Sequence, residues 1–276
     1  MKALLRTELH KLLRRREFWM ITVIQLLSIG LPLVLTLTPE SYKVNYVFGS
    51  SIPQVAYNVI GYAFWEALGV FVILFAILTV GLTSAEIESH YFYLYFPRVN
   101  NRGRILGSKL AVLLAFATVW YLIYTVVLNS AGYALFCLVR PDIASGYFTD
   151  GSHGYWISVW VLYYFELVFY IFLSAILGLK MKPLSAIATV IAVFYGSMFL
   201  FDLPLVKFIM PEFYKQRAIN SNSLSSLSTT HLYTAAYGVI VVLAAVIMYV
   251  LGKKRIDRIE AVSYTHLRAH ETRHDL

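Results

Sequence analysis

Glu166 is the residue whose surroundings stand out most in this sequence, because it lies inside an apolar run, WVLYYFELVFYIF. A charged side chain at the centre of a membrane helix costs about 2.5 kcal/mol or more, so such residues face the bundle interior, pair or carry a proton. Two roles remain open for Glu166. It is part of a transport or proton pathway, or it is a neutral or paired carboxyl that helps helices to pack.

A second group of charged residues lies in the segment 83–109, TSAEIESHYFYLYFPRVNNRGRILGSK. Its acids are at the end of one apolar run, and its basic residues lead into the next. An aromatic run ending at a proline separates them. This run suits a short helix packed against another protein or lipid headgroups, or an ordinary interfacial aromatic belt. The residues of interest are Glu86, Glu88, Pro97, Arg98, Arg102 and Lys109.

The remaining reactive residue types form no catalytic pattern. His10, His90, His153 and His231 are scattered, with no two at metal-ligand spacing. An intramembrane hydrolase or acyltransferase needs a nucleophile and a base at the same depth, and no such pair can be built from the sequence. There is also no Gly-x-x-x-x-Gly-Lys-Ser/Thr phosphate loop. We therefore predict no catalytic residue, no metal and no cofactor bound by this chain.

Six long apolar runs must position the charged residues. Hydrophobic residues make up 59% of the chain and charged residues 14%, against about 45–50% and 25% in soluble domains. A helix of about 20 apolar residues crosses a bilayer core of about 30 Å. We predict an all-α integral membrane protein in which residues 18–262 form one domain. Its six transmembrane helices are 18–38, 64–82, 106–128, 156–179, 184–201 and 233–251.

The Lys and Arg residues predict the orientation of these helices. Of the 23, 18 lie before the first span, after the last, from Arg98 to Lys109 or in the fourth connection, and five lie in the other three connections. Basic residues favour the cytoplasmic side, so both termini are predicted to be cytoplasmic in a multi-pass protein of the cell membrane. Lipid headgroups account for the net charge of +8 without a nucleic-acid partner. Glu66 is predicted near the outer end of the second span, where water can reach it.

Residues 1–17 have the pattern of an amphipathic helix at the membrane surface. Apolar residues recur at spacings of three and four, and basic residues fall mostly on the other face. This helix is either a basic anchor that sets the topology or a contact surface for a cytoplasmic partner. The apolar positions are Leu4, Leu5, Leu9, Leu12 and Leu13.

Residues 263–276, SYTHLRAHETRHDL, are predicted to be a non-native appended tail. His266, His270 and His274 repeat every four residues and would share one face of a helix, as metal ligands can. The segment looks instead like translated vector or adapter sequence, which is excluded from reasoning about the fold. Without its two arginines, 16 basic residues remain against five, and the predicted orientation is unchanged.

Over residues 1–262, the chain resembles the membrane subunits of ABC-2 type ABC transporters. That family has a basic amphipathic elbow helix with a Glu-Leu-x-Lys-Leu motif, and here the sequence reads Glu8-Leu9-His10-Lys11-Leu12. The family's glutamate, proline, arginine and lysine around the second connection match Glu86 or Glu88, Pro97, Arg98 or Arg102, and Lys109. Its basic tail is similar to Lys253-Lys254-Arg255-Ile256-Asp257. Ser89-His90 stands near the place of the usual Gly-Thr pair.

The resemblance implies export of a peptide, lipid or drug-like substrate. ATP would bind a separate cytoplasmic ATP-binding subunit, and a second permease subunit, identical or related, would complete the membrane part. The N-terminal helix and the segment from Glu86 to Lys109 would receive the motion of the ATPase. The alternative is a membrane protein that acts without ATP, either a secondary transporter or an immunity-type binding protein.

Overall fold

The computed structural model consists of helices joined by short turns in the parts of the chain that it describes, residues 2–28, 54–88, 103–139, 141, 153–204, 207–208, 210–220 and 227–274. No strand occurs in these ranges. The helices are α1 (Lys2–Arg14), α2 (Arg16–Ser28), α3 (Gln54–Ala67), α4 (Val70–Glu88), α5 (Gly103–Leu122), α6 (Asn129–Val139), α7 (His153–Gly178), α8 (Pro183–Leu200), α9 (Pro211–Asn220) and α10 (Leu227–His274), with a π-helical segment, Ile123–Leu128, joining α5 to α6.

Five stretches of helix are long and apolar enough to cross a membrane. They are Val70–Glu88, Gly103–Val139, Gly154–Gly178, Pro183–Leu200 and Ser228–Asp257. The predicted first span, 18–38, continues past the described residues, and its described part belongs to α2, which has 13 residues. The all-helical character is therefore observed, and five apolar helices are consistent with a multi-pass membrane protein, while the count of six spans stays a prediction.

Two spans differ from their predicted bounds for local reasons. The predicted span 64–82 is interrupted between α3 and α4 by Leu68 and Gly69, where Gly69 has a φ of 62°. The predicted span 106–128 instead continues to Val139, because the sequence stays compatible with a helix until Arg140-Pro141. A proline disfavours helical geometry at the residue that precedes it.

Helix α7 forms the centre of the bundle and contacts α3, α4, α5, α8, α9 and α10. Its buried residues belong to an aromatic-rich core shared with α3, α4 and α5. Tyr62 of α3 and Tyr163 of α7, for example, have ring centroids 5.1 Å apart, and those of Phe71 and Trp120 are 4.7 Å apart. A polar side chain in the middle of α7 is thus surrounded by other helices.

Helices α1 and α2 are separated at Arg15, whose guanidinium Nη2 donates a hydrogen bond of 2.7 Å to the carbonyl oxygen of Gly81 in α4. Not all of the predicted apolar stripe on α1 faces the protein. Leu12 is fully buried, whereas Leu9 and Leu13 are 47% and 44% exposed. The inward face of α1 also carries a charged residue, Glu8, which is buried.

The basic connections meet at one end of the bundle. The Ser84 hydroxyl near the end of α4 donates to the carbonyl oxygen of Met181, between α7 and α8, at 2.9 Å. The Tyr249 hydroxyl of α10 donates to the carbonyl oxygen of Gly103, the first residue of α5, at 3.4 Å. The ends of α4 and α7, the start of α5 and the part of α10 around Tyr249 and Arg255 are thus neighbours, as the grouping of their connections by charge predicts.

The outer faces of α8 and α10 are apolar. Only 17% of the α8 span and 28% of the α10 span is buried, against 67% for α4. Large apolar side chains such as Phe199, Leu184 and Leu232 are exposed. An apolar surface of this extent is expected where acyl chains surround a membrane protein.

Candidate functional site

Four charged side chains meet inside the bundle around the ammonium group of Lys215. Its Nζ lies 2.8 Å from Glu66 Oε1, 2.8 Å from Glu166 Oε1 and 3.0 Å from Glu212 Oε2. The side chains are 1%, 10%, 3% and 4% exposed in the order Lys215, Glu66, Glu166, Glu212. We call these four residues the Lys215 cluster.

Three helices position the Lys215 cluster. Glu166 projects from central helix α7, and Glu212 and Lys215 lie three residues apart on α9, which begins at Pro211, a residue favoured at a helix start. Glu66 lies in the last turn of α3, where the partial negative charge of the helix end disfavours a carboxylate. The ammonium group of Lys215 offsets that unfavourable position.

Two opposing effects act on the pKa of Lys215. Burial by itself lowers the pKa, but the carboxylates of Glu166, Glu66 and Glu212 outweigh it and raise the pKa well above its ordinary value. Lys215 is therefore a cation at neutral pH. The stabilisation that this shift represents is fully present below the ordinary lysine pKa and is lost only as the pH rises through the raised value.

The acids of the Lys215 cluster outnumber the bases. Oε2 of Glu166 is buried and has no hydrogen-bond partner in the part of the chain that the structure describes. Glu166 faces the bundle interior, in agreement with the cost of placing a charge in an apolar span. Water was expected to reach Glu66, and that access is limited to a small part of the residue, because Glu66 is 8% exposed and paired with Lys215.

A second set of buried charges, the Lys109 cluster, joins α1 to α4 and α5. Lys109 Nζ lies 2.8 Å from Glu8 Oε2 and 2.6 Å from Glu86 Oε2. Lys11 Nζ lies 2.9 Å from Glu86 Oε1 and 3.5 Å from Glu8 Oε1. The Lys109 side chain is completely buried, so this cluster fixes the N-terminal helix against the ends of two membrane helices.

The structure brings together only some of the residues picked out by the sequence. Glu86 and Lys109 are in direct contact in the Lys109 cluster. Glu88, in the last turn of α4, is exposed. Pro97, Arg98 and Arg102 lie outside the described residues.

One serine–histidine contact was not expected from the sequence. The Ser158 hydroxyl of α7 lies 2.9 Å from His231 Nδ1 of α10 and also donates to the carbonyl oxygen of Gly154 at 2.8 Å. A hydroxyl can donate only one hydrogen bond. Because the Ser158 hydroxyl donates that bond to Gly154, its oxygen accepts a bond from the N–H at Nδ1 of His231. In this arrangement His231 is a donor and not a base, and the contact ties α10 to α7.

Lys215 is the functional candidate that sequence reasoning missed. Its segment was grouped with the outer connections, where a lysine is unremarkable. Two signals pointed to it: Pro211 followed by Glu212 is a favourable helix start, and a lone acid such as Glu166 needs a cation from somewhere in the chain.

Comparison with protein-family models, with curated proteins and with solved structures gave no match for this chain.

Proposed function

We propose that this chain is the membrane-spanning permease subunit of an ABC-2 type ABC transporter. It exports a peptide, lipid or drug-like substrate, has no ATP site of its own and depends on ATP hydrolysis by a separate cytoplasmic subunit. The observation that supports this most is the Lys109 cluster. The resembled family has a glutamate at the end of the second span and a lysine at the start of the third, within the segment that would receive the motion of the ATPase. Here Glu86 and Lys109 contact each other and Glu8 of the N-terminal motif.

The Lys109 cluster has the connectivity that a relay needs. Lys109 is completely buried, and breaking a buried ion pair is strongly unfavourable, so α1, α4 and α5 move together more readily than apart. A docked ATPase that displaces α1 or the connection before α5 would move the ends of two membrane helices. Two such subunits, identical or related, would face each other in the cell membrane with their termini in the cytoplasm.

The proposal predicts a neighbouring gene that encodes a Walker-motif ATPase. The test is co-expression with that ATPase, followed by purification and measurement of ATPase activity. We expect the two proteins to co-purify. The double variant Arg98→Glu with Arg102→Glu, in the connection before α5, should release the ATPase or reduce its activity at least several-fold. The matched control is Lys207→Glu with Arg217→Glu, which makes the same charge change in the predicted outer connection and should leave co-purification intact.

Two outcomes would contradict parts of this proposal. Unchanged co-purification and activity in the Arg98 and Arg102 variant would remove that segment as the docking surface. A chain that retains no ATPase and transports without ATP would overturn the whole assignment.

The Lys215 cluster favours one second candidate, an ATP-independent, ion-coupled secondary transporter. Buried acids within membrane bundles commonly belong to ion or proton pathways, and this cluster has three acids around one lysine. The two candidates separate in sealed vesicles containing the purified chain alone. Uptake of a dye or peptide probe driven by a pH gradient, without ATPase or ATP, supports the second candidate only.

A further inference from the structure

The charges of the Lys215 cluster do not balance. With all three carboxylates ionised and Lys215 cationic, the cluster carries two net negative charges at a site where no side chain is more than 10% exposed. Within the described residues, Lys215 is the only cation paired with these acids. An uncompensated buried charge is so unfavourable that the group takes up a proton instead.

Hydrogen bonding distinguishes Glu166 from Glu212. Glu166 Oε1 accepts from Lys215 Nζ at 2.8 Å, while its Oε2 is buried without a partner among the described residues. Glu212 accepts a second bond from Gln216 Nε2 at 2.7 Å and lies in the first turn of α9, where a negative charge is favoured. Of these two, Glu166 is the less stable as a carboxylate.

We propose that Glu166 binds an exchangeable proton at neutral pH, on the oxygen that has no partner, which makes the Lys215 cluster a proton-binding site inside the bundle. Glu66, the most exposed of the four side chains, is the route by which the proton exchanges with water. This assignment does not depend on whether an ATPase drives the protein, and its test needs no transport activity.

The other titratable groups around Glu166 cannot supply the missing positive charge. Apart from the cluster itself, those among the described residues are tyrosines, which are neutral at pH 7 because the ordinary tyrosine pKa is about 10. They come from α3, α5, α7 and α10, and none is a cation. The tyrosines whose electrostatics involve Glu166 are Tyr62, Tyr121, Tyr163, Tyr170 and Tyr237.

A proton fits this site better than a metal ion does. The ammonium group of Lys215 already occupies the point where the three carboxylates converge, so a metal ion would have to displace it. A proton needs only the free lone pair of Glu166 Oε2. Among the described residues, no group of histidines, cysteines and acids is arranged to hold a metal.

Infrared difference spectroscopy of the purified full chain in lipid nanodiscs tests this inference. A protonated carboxylic acid has a C=O stretching band that a carboxylate lacks, and that band shifts in D2O. We expect the band at pH 7 in the unaltered protein, complete loss of its Glu166 component in Glu166→Gln, and a shifted band in Glu166→Asp, which keeps a carboxyl. Asp202→Asn, which removes an exposed acid, should leave the spectrum unchanged.

The pH at which the Glu166 band disappears gives a second test of the proposal. Glu66→Gln removes a negative neighbour, so the band of Glu166 should disappear at lower pH than in the unaltered protein. Absence of the band at pH 7, or a band that persists unchanged in Glu166→Gln, would overturn the proposal. A band that sodium ions abolish at constant pH would also overturn it, in favour of a cation site.

Discussion

Lys109 and Lys215 are two ammonium groups enclosed in an apolar helix bundle, and each is stabilised by carboxylates from other helices. Lys109 contacts Glu8 of α1 and Glu86 of α4, and Lys11 also contacts Glu86. Lys215 faces three carboxylates. The Lys109 contacts join three helices, whereas the excess of acid around Lys215 favours proton uptake. At this scale the two sites are suited to different tasks.

Removal of the Lys109 ammonium group should destabilise the protein strongly. Lys109→Met removes a buried cation that Glu8 and Glu86 both contact, and loss of one partner of a buried pair costs about 3–5 kcal/mol. Unfolding in mixed detergent micelles, followed by circular dichroism, measures the change in the free energy of unfolding. Lys180→Met, which removes an exposed ammonium group, is the control and should change it by less than about 1 kcal/mol.

A charge exchange separates the ion pair from simple packing. Glu86→Lys combined with Lys109→Glu restores opposite charges, so the double variant should be more stable than the two single variants predict by addition. Additive losses would show that the Glu86–Lys109 contact contributes little by itself.

At the scale of helices, the break between α3 and α4 sets the position of Glu66. Gly69 adopts a left-handed φ of 62°, and its N–H donates to the carbonyl oxygen of Glu66 at 2.6 Å. The Tyr195 hydroxyl of α8 donates to the carbonyl oxygen of Leu68 at 2.9 Å, which satisfies one of the backbone groups that the break releases. Glu66 thereby ends α3 facing Lys215 instead of continuing into a straight span.

Gly69→Ala should disrupt this break. An added Cβ would lie 2.8 Å from Phe194 Cε1, and a left-handed conformation is unfavourable for alanine. We expect a loss of about 1–3 kcal/mol in the free energy of unfolding, measured in the same micelle titration. Gly196→Ala, in α8, meets nothing within 4 Å and should cause no loss. Equal effects of the two substitutions would show that the Gly69 conformation is not a constraint.

The same elements show which features of the fold and of the site could be predicted from the sequence. The length of the apolar runs predicted the helices, and the cost of a buried charge predicted that Glu166 faces inward. The cluster around Glu166 could not be predicted from the sequence, because Lys215 pairs with acids 49 and 149 positions away in the chain. Composition and periodicity describe neighbours along the chain, and such contacts depend on how the helices assemble.

At the scale of the whole molecule, the two clusters lie towards opposite ends of the bundle. The Lys109 cluster is at the end that also holds the turn between α7 and α8 and the basic part of α10. The Lys215 cluster lies near the junction of α3 with α4, towards the other end. If the basic end is cytoplasmic, the proposed coupling surface faces the ATPase, and the proton site exchanges with the outer side.

Cysteine labelling across α8 tests this orientation. Lys180 and Asp202 are exposed residues on either side of α8, whose 18 residues span about 27 Å. After replacement of Cys137 by serine, a single cysteine is placed at one of these positions in right-side-out vesicles. A membrane-impermeant maleimide should label Asp202→Cys directly but Lys180→Cys only after permeabilisation, because basic residues favour the cytoplasmic side. The reverse pattern would place the basic end outside, and an ATPase in the cytoplasm could then not reach the Lys109 cluster.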